Sequence, residues 1–327
     1  EFRRVLFRSK INEKAKIRII GDYDIDGVMS SYILYRALTR CGAQVDVAIP
    51  NRITDGYGLN RNLITEALEC GVDTILTCDN GIAAIEEIAY AKEAGMTVLV
   101  TDHHEIPFKD VDGERIYMRS EADAIVNPHQ KTCTFPYKDL CGAGVAWAVI
   151  VALYEKNNIE QREVEDLLEF VAFATVGDIM SLTGLNRILV KEGLKRIHHT
   201  TNIGMRALVS QCGLLPEQID TYHFGFVLGP CINAAGRLDT ARRALRLFIS
   251  ESPEEAAEIA DELVVLNEER KEMTRQGVEE AKQLVEEGGY EKDPVLILYL
   301  PDVHESIAGI IAGRIRECYY RPTFILT

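Results

Sequence analysis

Asp102, His103 and His104 follow one another, with Glu105 behind them, at the end of the apolar run Met96 to Val100. Carboxylates and imidazoles are the side chains that hold divalent cations and move protons near neutral pH. Thr97-Val98-Leu99-Val100 has the β-branched, apolar composition of a buried strand, so the triplet lies in the loop leaving that strand's carboxyl end. Two other strand-like runs deliver acids in the same way. Ile17 to Ile20 leads into Gly21-Asp22-Tyr23-Asp24-Ile25-Asp26-Gly27, and Thr74 to Thr77 leads into Cys78-Asp79-Asn80-Gly81. If the strands lie parallel in one sheet, all three loops emerge on one edge, where open α/β sheets place their chemistry. At least five carboxylates and two imidazoles then converge, a set that repels itself unless cations hold it. A two-cation hydrolytic centre is the simplest chemistry that resolves the repulsion.

Strands and helices must position those loops. After Ile17 to Ile20 the pattern predicts a helix over Val28 to Arg40, a strand over Val45 to Ile49, a polar loop over Pro50 to Asn60 and a helix over Arg61 to Cys70. A helix over Ala83 to Ala94 follows the third strand, and after the fourth come a loop from Glu105 to Tyr117 and a short strand, Ala124 to Val126. Helices are expected at Gly144 to Glu155 and at Val164 to Thr175, the second leading into Asp178. Arg187, Lys191, Lys195, Arg196, His198, His199 and Arg206 make the richest basic stretch, at spacings that read as solvated helix faces. Ser252-Pro253-Glu254-Glu255 starts a helix that meets no proline before Gly288-Gly289, a strut roughly 50 Å long. Beyond it lie a strand over Pro294 to Tyr299, a helix over Ile307 to Glu317 and a strand over Thr323 to Leu326, too few elements to bury their own apolar faces. The expected architecture is α/β: a doubly wound parallel sheet over residues 16–250, a long connecting helix over 251–289, and a second, smaller and incomplete α/β lobe over 290–327. Residues 1–15 are a lead-in. Its first nine, basic and matching nothing after them, read as a non-native remnant, and Lys10 to Lys16 as the tail of a helix.

The 327 residues are 47% hydrophobic, enough for two cored domains, and carry a formal net charge of -15. That charge excludes binding of nucleic acid through overall attraction, so any such contact must be local. The eight cysteines form no Cys-x-x-Cys pair, which excludes a zinc ribbon and a disulfide framework and suits a reducing, cytoplasmic setting. No apolar run approaches the ~20 residues of a membrane span, so no membrane partner is expected.

The triplet, together with Asp22 to Gly27, Asp79-Asn80-Gly81 and Val176-Gly177-Asp178, resembles the DHH phosphoesterase superfamily. Gly229-Pro230-Cys231-Ile232-Asn233-Ala234-Ala235-Gly236-Arg237-Leu238-Asp239 and His304 to Ala312 are similar to motifs of its RecJ branch, the single-strand-specific 5′ to 3′ exonucleases. The resemblance runs from about Lys16 to Thr327. It implies that Asp24 and Asp26 ligate different metals, that Asp79 bridges them, and that His103 ligates the second metal through a ring nitrogen, with Asp178 completing that metal's ligands. Asp22 is implied either as a ligand or as an acceptor behind one. His104, Asp102 and Arg237 are the implied catalytic residues, with His104 donating a proton or holding a phosphate oxygen. Asn233, Arg237, His304 and Glu305 are the implied substrate contacts. A carboxylate-rich set with one or two imidazoles favours two Mn²⁺ ions, or Mg²⁺, over a thiolate-seeking metal. The implied partner is single-stranded nucleic acid, DNA before RNA, and the chain is expected to be a monomer. Within the superfamily, a phosphodiesterase for oligoribonucleotides or cyclic dinucleotides is the alternative. A haloacid-dehalogenase phosphatase would leave Asp102-His103-His104 and Asp178 unexplained, and an inactive replication scaffold should lack ligands that are all present here. Tyr57, Phe135, Tyr137 and Tyr222 are the candidates for base stacking.

Overall fold

A computed structural model describes residues 8–327. The expectation of a non-native leader therefore lies, for residues 1–7, outside the described residues. Residues 8–12 are helical and bury Ile11.

The chain first lays down β1 (Lys16–Ile20), β2 (Gln44–Ala48), β3 (Thr74–Cys78) and β4 (Thr97–Thr101), then a hairpin of β5 (Phe108–Val111) and β6 (Glu114–Tyr117), then β7 (Ala124–Val126). Five strands form one parallel sheet in the order β2-β1-β3-β4-β7. β1 has β2 on one side and β3 on the other, so the direction of winding reverses between β1 and β3 and opens a crevice at their carboxyl ends. Ile20 pairs with Thr77 and Cys78 with Thr101, which brings the three acid-bearing loops out level with one another.

Alternation along the strands divides the core. Ile17, Ile19, Leu76 and Leu99 pack on one face with helices Ile25–Arg40, Gly142–Asn157 and Leu168–Gly177. Ile20, Ile75, Val98, Val100 and Ile125 face the other way, towards helices Arg61–Glu69 and Ile85–Glu93. Both faces of the parallel sheet are thereby covered.

Three local readings need correction. The first long helix begins at Ile25, not Val28, because Asp24 caps it. Asp26 is then in the first helical turn rather than ahead of the helix. The stretch from Glu105 to Tyr117 is not all loop: Asp112 and Gly113, both with positive φ, turn β5 into β6. The helix expected over Val164 to Thr175 is two, Gln161–Glu165 and Leu168–Gly177.

A π-helical segment, His223–Leu228, runs into helix Gly229–Leu238. The long helix, Pro253–Gly288, has 36 residues and spans ~54 Å. The Ser252 hydroxyl accepts the Glu255 amide at its start, and Gly289 takes φ +66° at its end. Its last turns carry Ala281 and Val285 into a separate core with β8 (Leu296–Tyr299), β9 (Thr323–Leu326) and helix Glu305–Tyr319. β8 and β9 are parallel, and Ile297, Tyr299, Phe324 and Leu326 on their outer face are exposed. Among the described residues no helix is long and apolar enough to cross a membrane.

Candidate metal centre and active site

The first turn of helix Ile25–Arg40 positions two carboxylates. Asp24 Oδ1 accepts the amides of Asp26 (3.0 Å) and Gly27 (3.1 Å). Asp26 faces the start of helix Gly142–Asn157 and accepts the amides of Gly142 (2.5 Å) and Ala143 (2.8 Å). A carboxylate aimed at a helix N-terminus is stabilised by the unpaired amides and the dipole. Only glycine fits at 142, since a Cβ there would stand 2.7 Å from Asp79 Cβ and 2.9 Å from its Oδ1.

Asp79 follows β3 with φ +60°, a left-handed conformation that aspartate tolerates better than most residues. Its neighbour Asn80 fastens the surrounding loops. The Asn80 side chain accepts the Leu59 amide (3.1 Å) and donates to the carbonyls of Ile20 (3.0 Å) and Cys78 (2.9 Å). The Tyr57 hydroxyl donates to the Asp79 carbonyl at 3.0 Å and lies 3.3 Å from His104 Nε2.

His103 Nε2 stands 3.0 Å from Asp79 Oδ1, 3.5 Å from Asp26 Oδ2 and 3.9 Å from Asp178 Oδ2. Asp178 reaches it from the end of helix Leu168–Gly177. The donors form overlapping groups whose ligand atoms lie within 4.8 Å of one another: Asp22, Asp24 and Asp79; Asp26, His103 and Asp178; and Asp79, His103 and His104. Asp79 belongs to two of them.

Burial, then the charges of neighbouring carboxylates, pushes Asp79 and Asp24 above the usual carboxylate range. The same causes raise Asp178 to about 7 and Asp22 to about 8. Among the described residues, Asp22 Oδ1 is buried with no hydrogen-bond partner, and the buried Asp79 Oδ1 faces the His103 ring nitrogen. So many inward-facing oxygens ionise together only against positive charge, which is what two divalent cations bring. The donor set fits Mn²⁺ or Mg²⁺. The nearest thiols do not compete, because Cys78 is paired with Ser31 (3.5 Å) and Cys141 with Thr175 (3.4 Å).

Asp102 stands apart from these donor groups. Its Oδ1 accepts the amides of His103 (2.7 Å) and His104 (3.1 Å) and lies 2.8 Å from His104 Nδ1, while Oδ2 accepts the Ile82 amide at 2.8 Å. Burial alone would raise its pKa, but the His104 bond and the amides outweigh burial and hold it low. The hydrogen bond to Asp102 raises His104 in turn, whereas burial lowers His103 despite the Asp26 charge.

The RecJ-like motif lies on helix Gly229–Leu238. Asn233 Oδ1 accepts the Ile25 amide at 2.8 Å, so this side chain caps the helix that carries Asp26. Arg237 Nη1 donates to the Ser306 carbonyl at 2.7 Å, linking the site to the second lobe. Burial and the nearby charges of Arg52 and Arg270 press the Arg237 pKa down. The positive charges of Arg52 and Arg270 thus reach the Arg237 guanidinium, a mutual repulsion that an anion would relieve. The Arg52 guanidinium also lies 4.8 Å over the Tyr23 ring. His304 caps helix Glu305–Tyr319 by accepting the Ser306 amide, and Glu305 is exposed in its first turn.

The candidate aromatics disperse. Tyr57 is at the site, Tyr222 stacks on Phe226 with centroids 5.3 Å apart, Tyr137 donates to the Thr183 carbonyl, and Phe135 lies in the loop before helix Gly142–Asn157. Gly142, Arg52 and Arg270 join the site without being among the candidate residues read from the sequence. Arg52 carries a usable signal, since its loop leaves β2 on the same sheet edge. Arg270 carries none among the charges of the long helix.

Comparison with known proteins places the chain in a family. The N-terminal domain of the DHH family matches residues 16–175. The single-stranded-DNA-specific exonuclease RecJ of Bacillus subtilis is 35% identical over 319 residues, 98% of this chain and 38% of its own length. A crystal structure of exonuclease RecJ bound to manganese superposes with a TM-score of 0.86 at 32% identity, over 99% of this chain and 78% of that one. RecJ of Thermus thermophilus in complex with Mn²⁺ superposes with a TM-score of 0.83 at 31% identity, over 99% of this chain and 45% of that one. The chain belongs to the DHH family, among its RecJ members. It spans well under half the length of the Bacillus relative.

Proposed function

We propose that this chain hydrolyses phosphodiester bonds in single-stranded DNA, from the 5′ end and releasing mononucleotides, with two divalent cations, Mn²⁺ before Mg²⁺. The observation that carries this reading is the convergence of Asp22, Asp24, Asp26, Asp79, His103 and Asp178 at the carboxyl ends of β1, β3 and β4, beside the arginine-lined seam. Asp22, Asp24 and Asp79 would hold one cation and Asp26, His103 and Asp178 the other, with Asp79 in reach of both. When bound, the cations lower the pKa of the attacking water and screen the phosphate oxygens. Residues 16–250 would form the catalytic domain, the long helix a strut, and residues 290–327 part of a second lobe that closes over the substrate.

The protein's own groups do the rest. Arg237, with Arg52 beside it, offers guanidinium donors to the non-bridging oxygens, where negative charge grows during displacement. His104 is turned by Asp102, whose hydrogen bond raises the His104 pKa, and this suits it to protonate the leaving 3′ oxygen from Nε2. Tyr57 holds that ring from its other side.

The test incubates the chain with Mn²⁺ and a 5′-phosphorylated single-stranded DNA oligomer, a diribonucleotide and a cyclic dinucleotide in parallel, with Asp79→Ala and chelated samples as controls. Mononucleotides should appear from the DNA alone and disappear in both controls. Cleavage of the short substrates alone would replace this reading with a small-substrate phosphodiesterase.

A further inference from the structure

We infer that Ile179 is a substrate-contacting residue, held beside the metal cluster so that its side chain meets the sugar and base of the nucleotide whose phosphate is bound there. The inference rests on the phosphodiesterase reading above. Helix Leu168–Gly177 ends in a Schellman turn: the Ile179 amide donates to the Val176 carbonyl (3.2 Å) and the Met180 amide to the Thr175 carbonyl (3.1 Å). Such a turn puts its first residue beyond the cap in the left-handed region, and Ile179 has φ +57°. Glycine is the usual occupant, because a side chain there crowds the backbone, and a β-branched one crowds it most.

Burial does not compensate the strain. Ile179 is 91% exposed, the most exposed of the described large apolar side chains. It therefore weighs against the free protein twice, through its backbone and through its contact with water. Strain that a better-suited residue would remove collects where function needs a particular side chain. The position agrees, for Ile179 follows Asp178, whose Oδ2 is 3.9 Å from His103 Nε2. Orienting Asp178 requires only the turn, which glycine would form as well, so the side chain itself needs another reason.

The chemistry supplies one. The acidic cluster and Arg237 address the phosphate and offer nothing to the apolar faces of deoxyribose and base. In a single strand the base faces are open to an aliphatic side chain, while in a duplex they are stacked. Tyr320 is a matched control. It also has positive φ (+55°) and is 85% exposed, but it ends helix Glu305–Tyr319 in the second lobe, away from the motifs of the site.

The experiment measures the thermal midpoint, KM and kcat on the 5′-phosphorylated oligomer with Mn²⁺ for wild type, Ile179→Gly, Ile179→Leu and Tyr320→Gly. Ile179→Gly should melt at or above wild type while its KM rises about fivefold to tenfold and carries most of the loss, the size expected for one lost aliphatic contact. Ile179→Leu should keep a KM near wild type, as should Tyr320→Gly. An unchanged KM in Ile179→Gly overturns the inference and leaves the phosphodiesterase reading standing, as does a loss carried by kcat, which would mean that the residue acts through Asp178. A wild-type chain that neither binds nor cleaves the oligomer overturns both.

Discussion

Asp102 gives the triplet its first member, yet among the described residues its hydrogen bonds run to three backbone amides and the His104 ring. On the proposed reading it acts on chemistry through His104. Replacing it with Asn keeps the shape but sets an amide group against donors that need an acceptor. Asp102→Asn should lower kcat about 10²-fold, the ordinary worth of a positioned proton donor. It should also destabilise the fold by about 1–3 kcal/mol for the buried donor left unpaired. Mn²⁺ affinity, measured calorimetrically, should stay near wild type because the donor groups do not include Asp102. Loss of Mn²⁺ binding in this variant would make Asp102 a ligand instead. The sequence displays the acid and the two histidines but not this division of labour. Whether a loop carboxylate faces the cleft or its own amides depends on the local backbone turn, which residue type alone leaves open.

At the scale of elements, β1, β3 and β4 are legible because a β-branched run ending in acids admits few other readings. The start of the first helix is obscured for a related reason: Asp24 is both an acid at the site and the cap of helix Ile25–Arg40, and the first role hides the second. The β5–β6 hairpin escapes the pattern although Asp112-Gly113 is a strong turn signal. Both its strands are exposed throughout, so no buried face imposes a clear alternation. Gly142 and Arg270 are isolated residues without a period, and only contact reveals them. Helix Leu168–Gly177 holds a further feature invisible in sequence, the buried Glu169. Burial, helped by the Asp166 charge and opposed by the Thr200 hydroxyl, raises its pKa from 4.5 to about 7. Below about 4.5 folded and unfolded chains both hold this proton. Between 4.5 and 7 the unfolded chain releases it and the folded one does not, so stability falls across that window and is level above it. The loss amounts to about 3 kcal/mol. Glu169→Gln keeps the Thr200 bond and removes the charge. Its urea midpoint should therefore exceed that of wild type at pH 8 and match it at pH 4, and equal pH slopes in the two proteins would mean that Glu169 ionises freely in the fold.

For the whole molecule the governing quantity is the net charge of -15, which opposes an acidic polymer at a distance. On the proposed reading, binding would then depend on the few cations near Arg237, between the first domain and the second lobe. Arg237 is tied to the second lobe through Ser306, Arg270 comes from the long helix, and Arg52 from the loop after β2. On the proposed reading three separate parts of the fold would together supply the anion site, which a domain taken alone would not contain. Single-stranded DNA releases about 0.7 counterion per phosphate neutralised, so three guanidinium contacts predict a slope of log K on log salt of about -2. The measurement uses Asp79→Ala, which leaves the strand uncut, with the divalent cation held constant and monovalent salt varied. Arg270→Gln in that background should reduce the slope by about 0.7 and weaken binding of all sequences alike. A slope steeper than about -4 would place the strand on a wider basic surface, with the stretch from Arg187 to Arg206 the first to examine. A shallow slope that responds to Arg270 would mean that the long helix acts in recognition as well as in joining the lobes.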